Sequence, residues 1–255
     1  MIDTHAHLED DRLIADADQI VADFDADGLD FVINNSCNLE SMKKVYALAQ
    51  KHPRLYCTVG MHPHDAKEFD SKFEALMMEY AKSNKVVAVG EIGLDYYYDL
   101  SDRQTQKDVF AHQIEIADKL GLPLTLHIRD AYGDAQDILE AQKKYLNNGV
   151  LWHCYSGSAE FARQMAKKGH YFAFGGAITF KNANKDEVIK AVPISQVLSE
   201  TDCPYMTPVP FRGKTNYPKY VRYVVEKLAA TYGVGFEQME QVILQNCKRI
   251  FTKIK

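Results

Sequence analysis

A single (β/α)8 barrel of the TIM type is the fold that this sequence predicts, and three observations predict it. Short runs rich in β-branched and aromatic residues alternate with longer amphipathic stretches along all 255 residues. The runs number eight, and most are nearly continuous in apolar character, as parallel strands covered on both faces must be. No Gly-, Ser- or Pro-rich linker, low-complexity tract or block of like charge divides them, so residues 1–255 read as one domain.

Taken in order, the strand candidates are the first residues to Thr4, then 31–36, 55–60, 85–92, 122–128, 149–154, 170–176 and 195–201. Between them lie helical patterns. Ile14, Ala17, Val21 and Phe24 share one stripe, and Phe110, Ile114 and Ala117 share another. Ser101 with Gln104 has the spacing of a capping box, and Gly121 and Gly169 stand where helices end. Helical patterns over 218–231 and 237–252 close the chain. The rival architecture, an open doubly wound sheet, is weakened because the first β-to-α turn lacks a GxGxxG phosphate cradle.

Composition narrows the function. The chain is 46% hydrophobic and 25% charged, and 30 basic against 35 acidic residues give a formal net charge of −5. No global basic field marks a nucleic-acid binder, although a local patch or a bound metal can still meet phosphate. Five scattered cysteines, Cys37, Cys57, Cys154, Cys203 and Cys247, contain no CxxC pair and read as reduced thiols. With no long apolar run and no leader pattern, a cytoplasmic location, no membrane association and no obligate protein partner are expected.

Polar residues then gather at the strand ends, where barrel enzymes build their sites. The first strand delivers His5 and His7, the third His62, the fourth Glu91, the fifth His127, the sixth His153 and the eighth Asp202. Residues two apart on a strand point the same way, so His5 and His7 both aim at the barrel mouth. One HxH pair is a weak signal. Joined by His127, His153, Glu91 and Asp202, it describes a metal site, because so many ionisable groups cannot share a buried cup uncompensated. A single tetrahedral catalytic ion uses about three protein ligands. Two ions sharing one bridging carboxylate use the set economically, and such pairs suit phosphoryl-ester hydrolysis.

The ordered motifs "DTHAHL", "VGMHPH", "VGEIGLDYYYD", "LPLTLHIRDA", "WHCYSGS", "SETDCPYMTP" and "RGKTNYPKYV" resemble the TatD-type metal-dependent deoxyribonucleases of the amidohydrolase-like barrel group. The resemblance runs nearly end to end. It implies a TIM-type barrel with a divalent metal centre that hydrolyses DNA, usually described as magnesium-dependent. It further implies that His5, His7 and Asp202 hold one metal, that His127 and His153 hold a second, and that Glu91 bridges them. His62 is placed beside them, facing the scissile phosphate or a third, weaker ion. Glutamate rather than lysine at the fourth strand argues against relatives that bridge their metals through a carboxylated lysine. Imidazole-rich ligands favour zinc or manganese whereas magnesium prefers oxygen, so the two cations are Mg, Mn or Zn.

Other residues carry two readings each. Arg129 clamps a phosphate oxygen or pairs with Asp130. Arg212 and Lys214 meet phosphate or are solvated. Tyr96, Tyr97, Tyr98, Tyr155 and Tyr205 stack on bases or pack as ordinary aromatics. Ser156 lacks the GxSxG context of a nucleophile. Cys154 and Cys203 read as small core residues, His64 as an organiser of its loop, and His52, His112 and His170 as structural or solvated.

Three functions follow. The leading one is a metal-dependent phosphodiesterase acting on DNA, of the exonuclease type, with Asp202 handling the proton of the attacking water, Glu91 bridging and His62 as donor. The same metals could instead serve another ester or amide, such as a D-aminoacyl-tRNA ester or a small molecule. A noncatalytic metal-binding module comes last.

Overall fold

The computed structural model describes all 255 residues. Eight parallel strands form one sheet in chain order. They are β1 (Ile2–Ala6), β2 (Phe31–Asn34), β3 (Leu55–Val59), β4 (Val86–Asp95), β5 (Leu124–Arg129), β6 (Val150–Trp152), β7 (Tyr171–Phe174) and β8 (Val197–Ser199). The sheet then returns on itself. The His7 N–H donates to the Cys203 carbonyl and the Asp202 N–H to the His5 carbonyl, each at 2.8 Å, with a parallel bridge between Ala6 and Cys203. The chain is a single (β/α)8 barrel.

Ten helices surround it: α1 (Ala17–Ala22), α2 (Phe24–Asp27), α3 (Leu39–Lys51), α4 (Ser71–Tyr80), α5 (Arg103–Leu120), α6 (Tyr132–Ala141), α7 (Ala159–Lys167), α8 (Asp186–Ala191), α9 (Val221–Tyr232) and α10 (Phe236–Ile250). None is long and apolar enough to cross a membrane. The expected stripes face inward except at one end: Ala17, Val21 and Phe24 are buried, as are Phe110, Ile114 and Ala117, but Ile14 is only half-buried, in a short turn ahead of α1. Gly121 ends α5 in the left-handed region at φ 66°, a conformation that glycine adopts without steric cost.

One expectation fails by a single residue. Asp102, not Ser101, caps α5, accepting from the N–H groups of Gln104 and Thr105 at 3.0 and 3.1 Å. The Ser101 hydroxyl instead donates to the His64 carbonyl at 2.8 Å. Both side chains are good cap acceptors, so sequence could not choose between them. β4 also runs three residues past its predicted end. Its pairing with β5 shifts register between Val89 and Ile92, which places Glu91 inside an irregular stretch of strand rather than at its end. Gly93, at φ 143°, permits this: a Cβ there would stand 2.1 Å from the His127 carbonyl oxygen.

Candidate metal centre

The barrel brings His5, His7, His62, Glu91, His127, His153 and Asp202 into one cup at the C-terminal ends of the strands. Asp3, two residues before His5, ties β1 to the β8 end. Its carboxyl accepts from the N–H groups of His5 (3.2 Å) and Thr201 (2.9 Å) and from the Thr201 hydroxyl (2.5 Å). Burial pushes the Asp3 carboxyl up to about 8, against the three donors that favour its charged form. Asp202 itself adopts a left-handed backbone at φ 57°, which aspartate tolerates better than most residues.

Glu91 stands at the centre, and its two oxygens face different partners. Oε2 lies 3.2 Å from His5 Nε2 and 3.6 Å from His7 Nε2. Asp202 Oδ1 completes that side, 3.5 Å from His7 Nε2 and 4.0 Å from His5 Nε2. Oε1 lies 2.9 Å from His127 Nδ1, 3.4 Å from His153 Nε2 and 3.7 Å from His62 Nε2. Four compact groups of potential donors result, among them His5–His7–Glu91, His5–His153–Asp202 and His62–Glu91–His127.

Behind the histidines stand three acids that sequence reasoning missed. Asp95 Oδ2 accepts from His127 Nε2 at 2.9 Å and from His64 Nε2 at 3.0 Å. Glu200 Oε1 is 3.1 Å from His153 Nδ1, an off-line electrostatic contact, and accepts squarely from the Cys154 N–H at 2.6 Å. Glu9 Oε1 and the Asn35 carbonyl approach His7 Nδ1 at 3.3 and 3.1 Å. The acceptors at His127 and His7 hold a proton on the outward nitrogen and turn the other nitrogen's lone pair into the cup, the arrangement that orients metal-bound histidines, while Glu200 acts on His153 through charge alone. The only sequence signal was an acid two to four residues from a ligand: Glu9 after His7, Asp95 after Glu91, Glu200 before Asp202.

His62 differs. The His64 N–H donates to its Nδ1 at 3.1 Å, so the neutral ring carries its proton on Nε2 and presents a donor to the cup. Burial, with His127 close by, pushes its pKa well below the ordinary value, which keeps the ring neutral.

The charge balance fits divalent cations. The only ionisable basic side chains that Glu9, Glu91, Asp95, Glu200 and Asp202 meet are histidines; no lysine or arginine pairs with any of them. Burial opposes charge on Glu91, yet His5 and His153 hold its carboxyl well below the usual range. Burial likewise opposes the charged form of His153, but Glu200 and Glu91 lift it to about 9. His5 Nε2 and His7 Nε2 sit 3.2 Å apart, close enough that a proton or a cation must lie between them. His5 Nδ1, Glu9 Oε2 and Glu200 Oε2 are buried without any hydrogen-bond partner. So concentrated a set of buried donors is costly without compensating positive charge.

The rim narrows some of the double readings. Arg129 pairs with no carboxylate; its guanidinium lies over Tyr97 at 3.8 Å and Tyr98 at 4.9 Å. Arg212 lies over Phe180 at 4.1 Å. Tyr96 is structural, its hydroxyl donating to Asp134 at 2.6 Å, and Tyr155 is buried in the core. Tyr97, Tyr98 and Tyr205 are 58%, 53% and 47% exposed. Ser156 touches the Tyr132 hydroxyl at 3.2 Å and no histidine. Cys203 is buried, but Cys154 is only half-buried, at φ 43° beside His153 and Glu200, because the backbone turns out of the barrel there. His52 and His112 pair with Asp18 (2.8 Å) and Glu74 (2.9 Å) on the outside.

A family model described as TatD related DNase matches residues 2–252. The chain belongs to the TatD family. YabD of Bacillus subtilis (strain 168), named an uncharacterized metal-dependent hydrolase, is 38% identical over 252 residues, which is 98% of each chain. YcfH of Escherichia coli (strain K12), named likewise, is 34% identical over 256 residues, 98% of this chain and 95% of that one. The crystal structure of YjjV, a TatD homolog from E. coli K12, matches with a TM-score of 0.89 at 28% identity, over 99% of this chain and 98% of its own. A TatD family hydrolase from Entamoeba histolytica shares the fold at 22% identity, with a TM-score of 0.87 over 99% and 98% of the two chains. The TatD-family chain described here is thus a metal-dependent hydrolase, and its cup is the place in the fold equipped for the metal.

Proposed function

We propose that the protein cleaves phosphodiester bonds in DNA, removing nucleotides from a strand end, with two divalent cations shared across Glu91. The observation that carries this reading is the division of Glu91: one carboxylate oxygen faces the nitrogens of His5 and His7, the other those of His127 and His153. His5, His7 and Asp202 would hold one cation with Glu91 Oε2, and His127 and His153 the other with Oε1. When bound, such a pair supplies Lewis acidity toward phosphoryl oxygens and acidifies water near neutral pH. Imidazole donors favour manganese, zinc or iron over magnesium.

The chain's own groups divide the remaining work. The Asp202 side chain is 15% exposed against 4% for Glu91, so it is the cup's carboxylate in touch with incoming water. It accepts the proton that the attacking water loses as the new phosphorus–oxygen bond forms. His62 Nε2–H points into the cup and gives a hydrogen bond to the departing sugar oxygen as the old bond breaks, and that oxygen takes its proton from solvent water. Arg129, two residues beyond His127 and free of any acid partner, holds a non-bridging phosphate oxygen.

The test is hydrolysis of end-labelled DNA by protein purified without chelator, with its metals counted by elemental analysis. D-aminoacyl-tRNA serves as the competing ester. Shortening of DNA from one end, about two metals per chain, and turnover lowered about 10²- to 10⁴-fold by Asp202→Asn are expected. Cleavage of the aminoacyl ester but not of DNA would move the reading to another ester, and one or no metal would overturn the bridged pair.

A further inference from the structure

Every exposed large apolar side chain in this protein sits on the face that carries the cup: Tyr97, Tyr98 and Leu100 after β4, Tyr205, Met206 and Val209 after β8, and Leu39 opening α3 after β2. A soluble surface scatters such residues; gathered round one mouth, they mark a contact surface. The charges there are also uneven. Segments 175–185 after β7 and 203–217 after β8 contain Lys181, Lys185, Arg212 and Lys214 and not one acid, in a chain whose net charge is −5.

These two segments are one body. Arg212 lies over Phe180, and the Val209 N–H donates to the Thr179 hydroxyl at 2.9 Å. A Cβ on Gly176 would meet the Met206 carbonyl oxygen at 1.9 Å. The lobe abuts the cup, since the Lys185 ammonium donates to the carbonyl of Ser156, three residues past His153, at 2.9 Å. None of the four cations is paired with an acid, whereas Arg12 beside Tyr205 is neutralised by Asp10 at 2.8 Å. Opposite, on the β4–β5 side, Tyr97 and Tyr98 carry Arg129 and are joined to the cup twice. Asp95 accepts from both their N–H groups at 3.0 and 2.8 Å while holding His127, and the Tyr98 ring meets the His64 ring edge-on at 5.3 Å.

The geometry points to a track for a single nucleic-acid strand across the mouth, with the β7–β8 lobe holding backbone phosphates on one side of the cup and the Tyr97–Tyr98–Arg129 stack receiving an unpaired base on the other. This rests on the phosphodiester reading above. A stack of exposed tyrosine and guanidinium accepts the π-face of any base, and four unpaired cations match a run of phosphates, so the strand is bound by its backbone and by stacking. A duplex offers no free base face to the stack.

Equilibrium binding by fluorescence anisotropy tests it, using a short labelled single strand with phosphorothioate linkages, in chelator, over a range of salt. Removing the lobe charges together (Lys181→Gln, Lys185→Gln, Arg212→Gln, Lys214→Gln) should weaken binding at least tenfold and flatten the slope of log affinity against log salt by about 3. Tyr97→Ala with Tyr98→Ala should weaken it about fivefold or more and leave the salt slope unchanged. An abasic nucleotide at the stacked end should cost the wild type as much, and cost the tyrosine variant nothing further. Melting temperatures confirm that each variant folds. Affinities that ignore both sets of substitutions, or tighter binding of a duplex than of the strand, overturn the track. Hydrolysis of bis(p-nitrophenyl) phosphate by the wild-type protein separates the two readings. Turnover there with a failed track sinks only the track, and no turnover there or on DNA sinks the phosphodiester reading itself.

Discussion

His153 at the end of β6 and His170 just before β7 are equally withdrawn from water, 7% and 5% exposed, yet their neighbours differ in kind. His170 Nδ1 accepts from the Trp152 indole N–H at 3.0 Å, and no carboxylate approaches it. Burial, with Lys168 adding repulsion, lowers its pKa to about 4, so it stays a neutral part of the layer between sheet and helices. His153 instead has Glu200 behind it and Glu91 before it, and its ring stacks on His5 at 3.5 Å between centroids. A buried histidine is no sign of function. A buried histidine with an acid behind it, and a second acid where its free nitrogen points, is built to hold a cation.

The largest effect expected from this contrast is that of Glu91→Gln. It removes the one carboxylate that both donor sets share, so metal content should fall from about two per chain toward none and DNA hydrolysis should vanish, while circular dichroism keeps the folded signal. Retention of both metals would show that the two sets do not depend on Glu91.

Next come Asp95→Asn and Glu200→Gln, which change the groups behind His127 and His153 and leave every direct donor in place. Each should weaken metal affinity about 10- to 100-fold, read by competition with a chromophoric chelator. Unchanged affinity would reduce these acids to structural hydrogen bonding. Asp95→Asn should also loosen the Tyr97–Tyr98 turn, visible as faster amide exchange there, because the amide group must share its single oxygen among the four donors that Asp95 now serves.

The smallest effect belongs to His170→Phe, which should leave metal content and turnover unaltered. It should cost about 1–3 kcal/mol at neutral pH, since the Trp152 N–H loses its acceptor. Its sharper signature is in acid. The unfolded chain protonates His170 near 6.5 and the folded protein only near 4, so below 6.5 the unfolded state binds more protons and stability declines as pH falls. That decline is worth roughly 3 kcal/mol between the two values. Denaturant melts of the variant across this window should be correspondingly flatter; an identical slope would mean that His170 titrates normally in the fold.

The residues that line the cup were readable in the sequence because two short-range rules expose them. A strand repeats every two residues, so His5 and His7 share a side, and parallel strands end together, so histidines and acids closing successive apolar runs must converge. The acids behind them obey no such rule. Asp95 in "DYYYD", Glu9 in "HLED" and Glu200 in "SETD" look like ordinary solvated charges, and only barrel closure buries them against His127, His7 and His153. The tyrosines show the same limit: Tyr96, Tyr97 and Tyr98 are identical in composition, yet one is bonded to Asp134 and two stand in solvent.

From the chain alone came the barrel, its number of strands, and the set of histidines and acids that meet in the cup, since these follow from periodicity and side-chain chemistry within a few residues. Tertiary structure decided which nitrogen of each histidine faces the cup, that Glu91 divides its oxygens between two groups, and which cations remain free at the mouth. Those outcomes depend on strand register and on contacts between residues far apart in sequence, and a shift of one residue in pairing would turn each side chain to the opposite face.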